Sequence, residues 1–474
     1  MLSRQQFGLV PCTLHAPPQP FFGCGSRRAR HVIVSGIANK ARDKQQKQPV
    51  LKVTGITQLS NGKAQHFGSA GNSIEERHEA EPSTSVTNKN ITDVLKGLIL
   101  PVGYPDSVTP DYLAYQLWAV PAHITGWMGS SLITSSLLAA VGLKAGAGIA
   151  AAGAASIRWI TKDGIGALGR LLVSAGRGGT IFDEDPKRWR LIAEGFTTTG
   201  RALEIATAVF PQNFVLLAGL GNFTKAVGKG MGGPCFRIIQ THFARQNNVG
   251  DVAAKEQVWE VVAQLIGLGL SIALLNGIEA TGDPTNAVWA WVVIQSVHVV
   301  LRFKSLSMVQ LPSLNQKRSC VLINAFLEGQ QLPDVRNGNA QEVLLANPVN
   351  CAPRVQFGCT VSTAFNASNQ TEQVLALAQL YHSEQYMLVW RDCRGQVLLQ
   401  NTAAPIDMLR ALWQAGWLAQ QGIQNATEDN LQQSLDVMQT DFDAFLHAVE
   451  TAGWDTSRIV IRSKGDRFTA IADS

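Results

Sequence analysis

Four long runs without a charged side chain constrain the fold of this chain more than any other feature. They cover residues 112–143, 205–224, 261–278 and 284–301 and are 32, 20, 18 and 18 residues long. A helix that crosses a membrane needs about 20 predominantly apolar residues. Because these runs are punctuated by glycine and show no period of two, they predict long apolar helices.

Proline residues interrupt the first two runs. Pro121 lies in the first run and predicts two helices broken near that residue, because proline cannot donate the backbone hydrogen bond of a helix interior. Pro211 lies at the centre of the second run, where it would free backbone groups in hydrocarbon. We therefore predict that the second run is a buried helix–turn–helix.

The last two runs are separated by a turn-like segment and predict a helical hairpin. Trp289 and Trp291 near the start of the fourth run, with Arg302 at its end, are typical of the boundaries of a membrane span. Both runs are at the lower length limit and contain polar residues, which favours a hairpin buried in a protein core. The sequence leaves both alternatives open. The polar residues are Gln264, Asn276, Gln295 and His298.

Most of the excess positive charge lies near the N-terminus. The chain has 40 basic and 35 acidic residues, but residues 1–74 hold ten of the basic residues and a single acidic one. No basic tract follows them, so nucleic-acid binding is not expected. The Gln-, Pro-, Gly- and Arg-rich head lacks the apolar run of a secretory signal and predicts an organelle transit peptide. A disordered N-terminal tail is the alternative.

The composition changes along the chain and predicts five segments. Residues 1–60 are the transit peptide or disordered head, and residues 61–90, which are polar and without an apolar period, are a linker. Residues 91–320 form a helical domain, residues 321–375 a connector with short helices, and residues 376–474 a small α+β domain. The predicted fold class is mainly α: a glycine- and alanine-rich helical domain, membrane-associated or buried, followed by the α+β domain.

The C-terminal segment has the clearest local patterns. Residues 386–390 and 396–400 predict a β-hairpin. Residues 405–417, which begin with proline, predict a helix. A second helix is predicted over 431–449, where apolar residues repeat at spacings of three and four. Residues 458–462 predict a third strand, which gives the order β-β-α-α-β.

Two glycine-rich motifs resemble nucleotide-binding loops without meeting their requirements. Residues 164–169 match G-x-G-x-x-G, but a helix-like segment rather than a strand precedes them, which favours tight helix packing. Residues 225–234 suggest a phosphate loop, yet the full pattern fails at both ends. We predict a flexible junction between helices there, whose Lys225 and Lys229 could still hold an anion.

No catalytic or metal-binding arrangement is evident in the sequence. His242 and Arg245 lie one helical turn apart and could act together on a substrate, although such a histidine more often caps a helix or fills a core. The seven cysteines include no C-x-x-C pair, so neither a zinc site nor a disulfide framework is indicated, and a reducing compartment fits best. Nothing specifies an enzyme, and the sequence requires no cofactor.

Three long motifs in order resemble the root UVB sensitive family, a group also described as a conserved domain of unknown function. They cover residues 100–118, 159–190 and 222–255. The first reads LPVGYPDSVTPDY with YQLW just after it, and the second begins WITKDGIGALGR. The resemblance extends over roughly residues 95–320 and more weakly over the C-terminal domain.

The resemblance implies a function that composition does not. Plant members of the family are linked to plastids, to UV-B responses in seedling development, to vitamin B6 homeostasis and to auxin transport, and some members act in pairs. No catalytic residue comes with the family. The motif positions that are candidate ligand residues are Asp106, Asp111, Lys162, Asp163, Gly164, Arg170, Lys225 and His242.

Together these observations predict a plastid homeostasis or adaptor protein with no defined reaction. Its expected partners are a membrane and a second copy or another family member, but not nucleic acid. The alternative is a membrane carrier or an enzyme that handles a small anionic ligand such as a B6 phosphate. A single pocket lined by charged motif residues would favour this alternative. Those residues are Lys162, Asp163, Arg170, Lys225 and His242.

Overall fold

The chain divides into two units, residues 1–91 and residues 92–474. The first unit contains a four-stranded antiparallel sheet in the order β1-β2-β3-β4, formed by Val32–Gly36, Val53–Ser60, Lys63–Ala70 and Ser73–His78. The computed structural model describes residues 32–36, 53–60, 63–70, 73–78, 96–141, 149–175, 179–280, 283, 285–365 and 370–469.

The sheet of the first unit overlaps the predicted head and linker. Strands β3 and β4 lie within residues 61–90, for which the sequence predicted no regular structure. The dipeptides Asn61-Gly62 and Gly71-Asn72 separate consecutive strands, and such dipeptides favour two-residue hairpin turns. This local turn signal was missed because the strands have no apolar alternation. The role of the head as a transit peptide stays a prediction.

Long helices build the first part of the second unit. They are α1 Tyr112–Val141, α2 Ile149–Ala175, α3 Gly179–Glu184, α4 Pro186–Ile205, α5 Phe214–Phe243, α6 Val249–Glu279 and α7 Thr285–Met308. Asp185 caps α4 by accepting a hydrogen bond from the Arg188 backbone N–H, and Pro186 occupies the first helical position. Two 3-10 turns separate α4 from α5, and the second begins at Pro211, which confirms the predicted turn. The residues of this second turn are exposed, so the prediction that the whole helix–turn–helix is buried is wrong there.

Helix α1 continues through Pro121, so the predicted break into two helices is wrong. The Thr125 hydroxyl donates to the carbonyl oxygens of Pro121 and Ala122, each at 3.0 Å. His298 of α7 places its Nδ1 2.8 Å from the Ala122 carbonyl oxygen. These contacts hold the backbone just after the proline, whereas the carbonyl that loses its helical partner is that of Leu117, four residues earlier.

Helix α1 packs against both α6 and α7, which hardly contact each other. The last two apolar runs do form helices, but the predicted packing of one against the other is wrong. Glycines explain the arrangement because they let helix backbones approach closely. A Cβ added to Gly267 of α6 would lie 2.9 Å from the Ile124 carbonyl oxygen of α1, and one added to Gly126 of α1 would lie 3.2 Å from the His298 ring.

Glycines also bring α4 and α5 into close contact. A Cβ added to Gly200 of α4 would lie 2.5 Å from the Gly221 carbonyl oxygen of α5. A Cβ added to Gly228 of α5 would lie 2.6 Å from the Ala193 carbonyl oxygen of α4. The predicted flexible junction at residues 225–234 is therefore wrong, because this segment lies inside α5, where Gly228 and Gly232 pack against α4 and Gly230 packs against α2.

The G-x-G-x-x-G motif at residues 164–169 lies inside α2 and packs against α5. A Cβ added to Gly169 would lie 2.6 Å from the Phe223 carbonyl oxygen, and one added to Gly166 would collide with the Asn222 side chain. A dinucleotide site would instead need the motif between a strand and a helix. The prediction of tight helix packing is confirmed.

The C-terminal α+β domain contains the predicted hairpin, in which β7 and β8 are antiparallel. Two strands that were not predicted, β6 and β10, pair parallel with β8. The predicted third strand exists as β9, but it pairs parallel with β5 instead of extending the hairpin sheet. The strands are β5 Ser313–Asn315, β6 Arg354–Phe357, β7 Tyr386–Arg391, β8 Arg394–Gln400, β9 Asp455–Val460 and β10 Arg467–Phe468.

The predicted connector at 321–375 contributes to the core of the C-terminal domain. Its Ile323 and Val355 are buried in the same cluster as Trp390 and Trp413. Helices α12 and α13 confirm the two predicted C-terminal helices. The helices of this domain are α8 Gln316–Leu327, α9 Val335–Gln341, α10 Val361–Ala364, α11 Gln370–Leu380, α12 Pro405–Gln420 and α13 Glu428–Thr451.

The contact between α4 and α5 predicts opposite effects for two glycine substitutions on α4. Gly200→Ala should lower the free energy of unfolding by about 2 kcal/mol, because the new methyl group meets the α5 backbone. Gly195→Ala should raise it by up to about 1 kcal/mol, because open space surrounds Gly195 and alanine is the better helix former. Thermal and denaturant unfolding of the purified variants measures both. Equal changes in the free energy of unfolding for the two variants would contradict the close contact between α4 and α5 at Gly200.

Candidate functional site

A group of buried polar side chains lies between α4 and α7, and we call it the polar core. Glu194 is at its centre. Glu194 Oε1 lies 3.1 Å from His298 Nε2 and 3.7 Å from Arg201 Nη1, and Glu194 Oε2 lies 3.9 Å from Arg302 Nε. The polar core consists of Glu194, Thr198 and Arg201 of α4 and Gln295, His298 and Arg302 of α7.

Helical spacing explains how the polar core forms. Its α4 members lie at positions i, i+4 and i+7, and its α7 members at i, i+3 and i+7, so each set shares one helix face. Gln295 Nε2 donates to Thr198 Oγ1 at 2.8 Å, and Arg201 Nη1 donates to Gln295 Oε1 at 3.5 Å. In the sequence, Gln295 and His298 were interpreted only as polar residues that interrupt an apolar run. Their shared face was the signal that could have revealed the site.

His298 connects α7 to both α1 and α4. Its Nδ1 lies 2.8 Å from the Ala122 carbonyl oxygen and 3.2 Å from the Thr125 hydroxyl oxygen, and its Nε2 lies 3.1 Å from Glu194 Oε1. A neutral imidazole with its hydrogen on Nε2 can donate to Glu194 and accept from the Thr125 hydroxyl group. Arg201 and Arg302 lie beside Glu194, so the polar core has two guanidinium groups and one carboxylate, an arrangement that can attract an anion.

Two predicted candidates, Asp111 and His242, are hydrogen-bonded to each other at the ends of α1 and α5. Asp111 Oδ2 lies 3.0 Å from His242 Nε2 and accepts a hydrogen bond from the Gln310 backbone N–H at 2.7 Å. Burial raises the pKa of Asp111, but the hydrogen bond and charge of His242 outweigh it and hold the pKa below its usual value. The pair therefore clamps three segments together. Arg245 lies beyond the end of α5, so the predicted joint action with His242 is not supported.

Lys162, Asp163 and Lys225 lie along the contact between α2, α4 and α5. Asn222 Nδ2 donates to the Lys162 carbonyl oxygen at 3.1 Å and to Asp163 Oδ1 at 3.3 Å. Lys225 Nζ pairs with Glu204 Oε2 at 2.6 Å. These polar contacts accompany the glycine-mediated packing and connect neighbouring helices.

The remaining candidates do not join a common pocket. Asp106 lies in an exposed turn, and Gly164 and Arg170 lie on the exposed face of α2. His242 follows Lys225 by 17 residues on α5, which places the two about 25 Å apart. The structure therefore does not assemble the single charged pocket that would have favoured a ligand site at the motif residues. Among the described residues, no group of His, Cys, Asp or Glu side chains is arranged to hold a metal ion.

A second buried ionic group joins the helical and C-terminal domains, and we call it the junction cluster. Lys187 Nζ lies 2.8 Å from Glu342 Oε2, and Lys317 Nζ lies 2.6 Å from Asp185 Oδ2. Burial raises the pKa of Glu342, but the charges of Lys187 and Arg318 outweigh it and lower the pKa to about 2. Asp185 and Lys187 belong to the motif that carried the family resemblance, although sequence reasoning assigned them no partners.

The structure thus defines an apolar helical domain with a buried polar core, joined to an α+β domain. Two family models match these parts in order: a vitamin B6 photo-protection and homoeostasis domain over residues 85–330, and a root UVB sensitive protein C-terminal domain over residues 331–465. The chain belongs to the root UVB sensitive family. The family is linked to vitamin B6 homoeostasis and UV-B response, without a defined reaction.

Relatives extend over most of the chain. It is 39% identical to protein root UVB sensitive 5 of Arabidopsis thaliana over 405 residues. This match covers 81% of the chain and 79% of that protein. It is 29% identical to protein root UVB sensitive 2, chloroplastic, of the same plant, with 78% and 83% covered. It is 34% identical to RUS family member 1 of Dictyostelium discoideum, with 51% and 46% covered. No solved structure matches the chain.

The junction cluster predicts a large, pH-dependent effect of Glu342→Gln. At pH 7 this variant should lose about 3 kcal/mol of unfolding free energy, because it leaves Lys187 buried without its partner. The contribution of the carboxylate is present above its ordinary pKa near 4.5 and is lost as the pH falls towards about 2. The difference between variant and wild type should therefore shrink over that range.

Chemical denaturation at a series of pH values measures this difference. Glu372→Gln on α11 is the matched control, since Glu372 is exposed, and its effect should stay within about 0.5 kcal/mol. A pH-independent loss in Glu342→Gln would show that the charge of Glu342 is not what stabilises the junction.

Proposed function

We propose that this protein is a membrane-embedded plastid protein of vitamin B6 homoeostasis that acts as an adaptor. The observation that carries the proposal is the inverted polarity of α7. Val293 and Val300 are 63% and 58% exposed, whereas Gln295 and Arg302 are only 4% and 6% exposed. A helix on the surface of a water-soluble protein shows the opposite arrangement. In hydrocarbon, apolar side chains face outward and ionisable ones face the bundle interior.

Two further helices support membrane embedding. Helices α1, α6 and α7 have 30, 31 and 24 residues and are long and apolar enough to cross a membrane. Leu265 and Ile272 of α6 are exposed on a helix that has few buried residues. Trp289, exposed near the start of α7, suits the interface between membrane and water.

The plastid location is supported by two independent features. The basic N-terminal head has the composition of a transit peptide. The relative root UVB sensitive 2 carries the description chloroplastic. The family resemblance, in which some members act in pairs, supports an assembly with a second copy or another family member. An adaptor that presents its α+β domain beside a membrane combines these features.

The membrane proposal predicts the behaviour of the tagged full-length chain in plant cells. The protein should be found with isolated plastids and should stay in the pellet after alkaline carbonate extraction. Val293→Lys with Val297→Lys should reduce the pelleted fraction severalfold, because each lysine near the centre of a span costs about 2.5–3.5 kcal/mol.

A matched pair on the C-terminal domain provides the control. Val343→Lys with Leu345→Lys also adds two charges at exposed positions and should leave the pelleted fraction unchanged. Release of the wild-type chain into the supernatant would contradict membrane embedding. Absence of the chain from plastids would contradict the proposed location.

The polar core favours a second candidate function, a carrier or enzyme for a small anionic ligand such as a B6 phosphate. Arg201 and Arg302 accompany a single carboxylate, Glu194. Excess buried positive charge is costly unless an anion neutralises it. An anion that enters between α4 and α7 would provide this neutralisation.

Transport into liposomes that contain the purified chain tests this second function. Uptake of labelled pyridoxal 5′-phosphate should exceed that of empty liposomes, and Arg302→Gln should lower the excess at least tenfold, because the ligand loses a charged hydrogen bond in the polar core. Arg336→Gln at an exposed position of α9 is the control. Uptake equal to that of empty liposomes would contradict a carrier.

A further inference from the structure

A cavity of about 160 Å³ lies where the helical domain meets the C-terminal domain, and we call it the junction pocket. Glu184, Arg188 and Trp189 line it from the helical domain, and Phe357, Arg462 and Lys464 line it from the C-terminal domain. Its volume equals that of roughly five water molecules, which is enough for a phosphate group with part of an attached organic group. Both family domains therefore contribute walls to one small cavity.

Three cationic residues line the junction pocket: Arg188, Arg462 and Lys464. Nearby Lys187 and Lys317 each have a buried carboxylate partner, whereas in the described part of the chain none of these three forms an ion pair within 4 Å. Arg188 Nε is also shielded from solvent and has no hydrogen-bond partner among the described residues. A shielded donor without a protein partner can be satisfied by water, an ion or a ligand.

The carboxyl groups at the junction pocket do not cancel this positive charge. Asp185 is paired with Lys317. Burial raises the pKa of Glu184 to about 7, although the Arg462 backbone N–H hydrogen-bonds to its carboxyl group. Near neutral pH, Glu184 is therefore partly uncharged. The groups that face Glu184 are Asp185, Arg188, Arg462 and Lys464.

The rest of the pocket wall suits an organic group attached to an anion. Trp189 and Phe357 supply aromatic surfaces, and Pro348 and Val349 supply aliphatic surface. Arginine offers several donors in a fixed geometry that matches phosphate oxygens, and lysine adds a mobile charge.

We propose that the junction pocket binds a small phosphorylated anion through Arg188, Arg462 and Lys464. The bound anion bridges the first turn of α4 and the segment after β9, so it holds the C-terminal domain against the helical domain. This site is separate from the polar core and forms whether or not the helices enter a membrane. The two family domains thereby share one anion-binding site.

Calorimetric titration of the detergent-purified full-length chain tests the proposal. The probes are inorganic phosphate, pyridoxal 5′-phosphate and vesicles that contain phosphatidic acid. Saturable binding of at least one soluble probe is expected. Arg462→Gln and Lys464→Gln should each weaken it about tenfold or more, since each removes a charged hydrogen bond. Both residues are exposed, so the fold should persist.

Arg458→Gln is the matched control, because Arg458 is an exposed arginine of β9 that does not line the pocket. Its affinity for the soluble probe should equal that of the wild type. If Arg462→Gln, Lys464→Gln and Arg458→Gln all weakened binding of the soluble probe equally, or if none of them weakened it, the proposed site would be wrong. Binding to phosphatidic acid vesicles without binding of either soluble anion would overturn a small-molecule ligand.

The pH dependence of sulfate binding tests the place of the anion beside Glu184, since sulfate keeps its charge near neutral pH. Affinity should be higher at pH 6 than at pH 8, because Glu184 loses its proton as the pH rises through about 7. Glu184→Gln should remove the difference. Equal wild-type affinities at the two pH values would show that the anion does not lie beside Glu184.

Discussion

The close backbone contact between α4 and α5 is the constraint on which the rest of the structure depends. Gly200 and Gly228 permit it, because any larger side chain would meet the facing helix backbone. Helix α4 then carries charged groups into three places: the junction cluster through Lys187, the polar core through Glu194, and the pair with Lys225 through Glu204.

Buried charge is the second theme of the molecule. An apolar helical domain gains little from ionic groups unless they are paired, because removing an ion from water costs several kcal/mol. Asp111 and Lys187 are each paired, and they hold separate segments together. The polar core differs because Arg201 and Arg302 outnumber its carboxylate. This excess of buried arginine is the observation on which the proposed anion-binding role of the polar core depends.

Sequence reasoning succeeded where the signal was local. The hairpin of β7 and β8, helices α12 and α13, and the turn near Pro211 all follow from patterns within a few residues. It failed at Pro121, where α1 continues although proline removes one backbone hydrogen bond from the helix. It also missed the polar core and strands β6 and β10, whose partners are distant in sequence and leave no local trace.

The sequence by itself determined the class of this protein. Long uncharged runs required apolar helices, and ordered motifs placed the chain in the root UVB sensitive family. Only the tertiary structure decided which helices pack together, that residues 164–169 and 225–234 serve packing, and which charges meet. The physical reason is that glycine and charged residues act through groups from other segments. A glycine matters only where another backbone approaches it, and a buried charge only where a partner lies within a few ångströms.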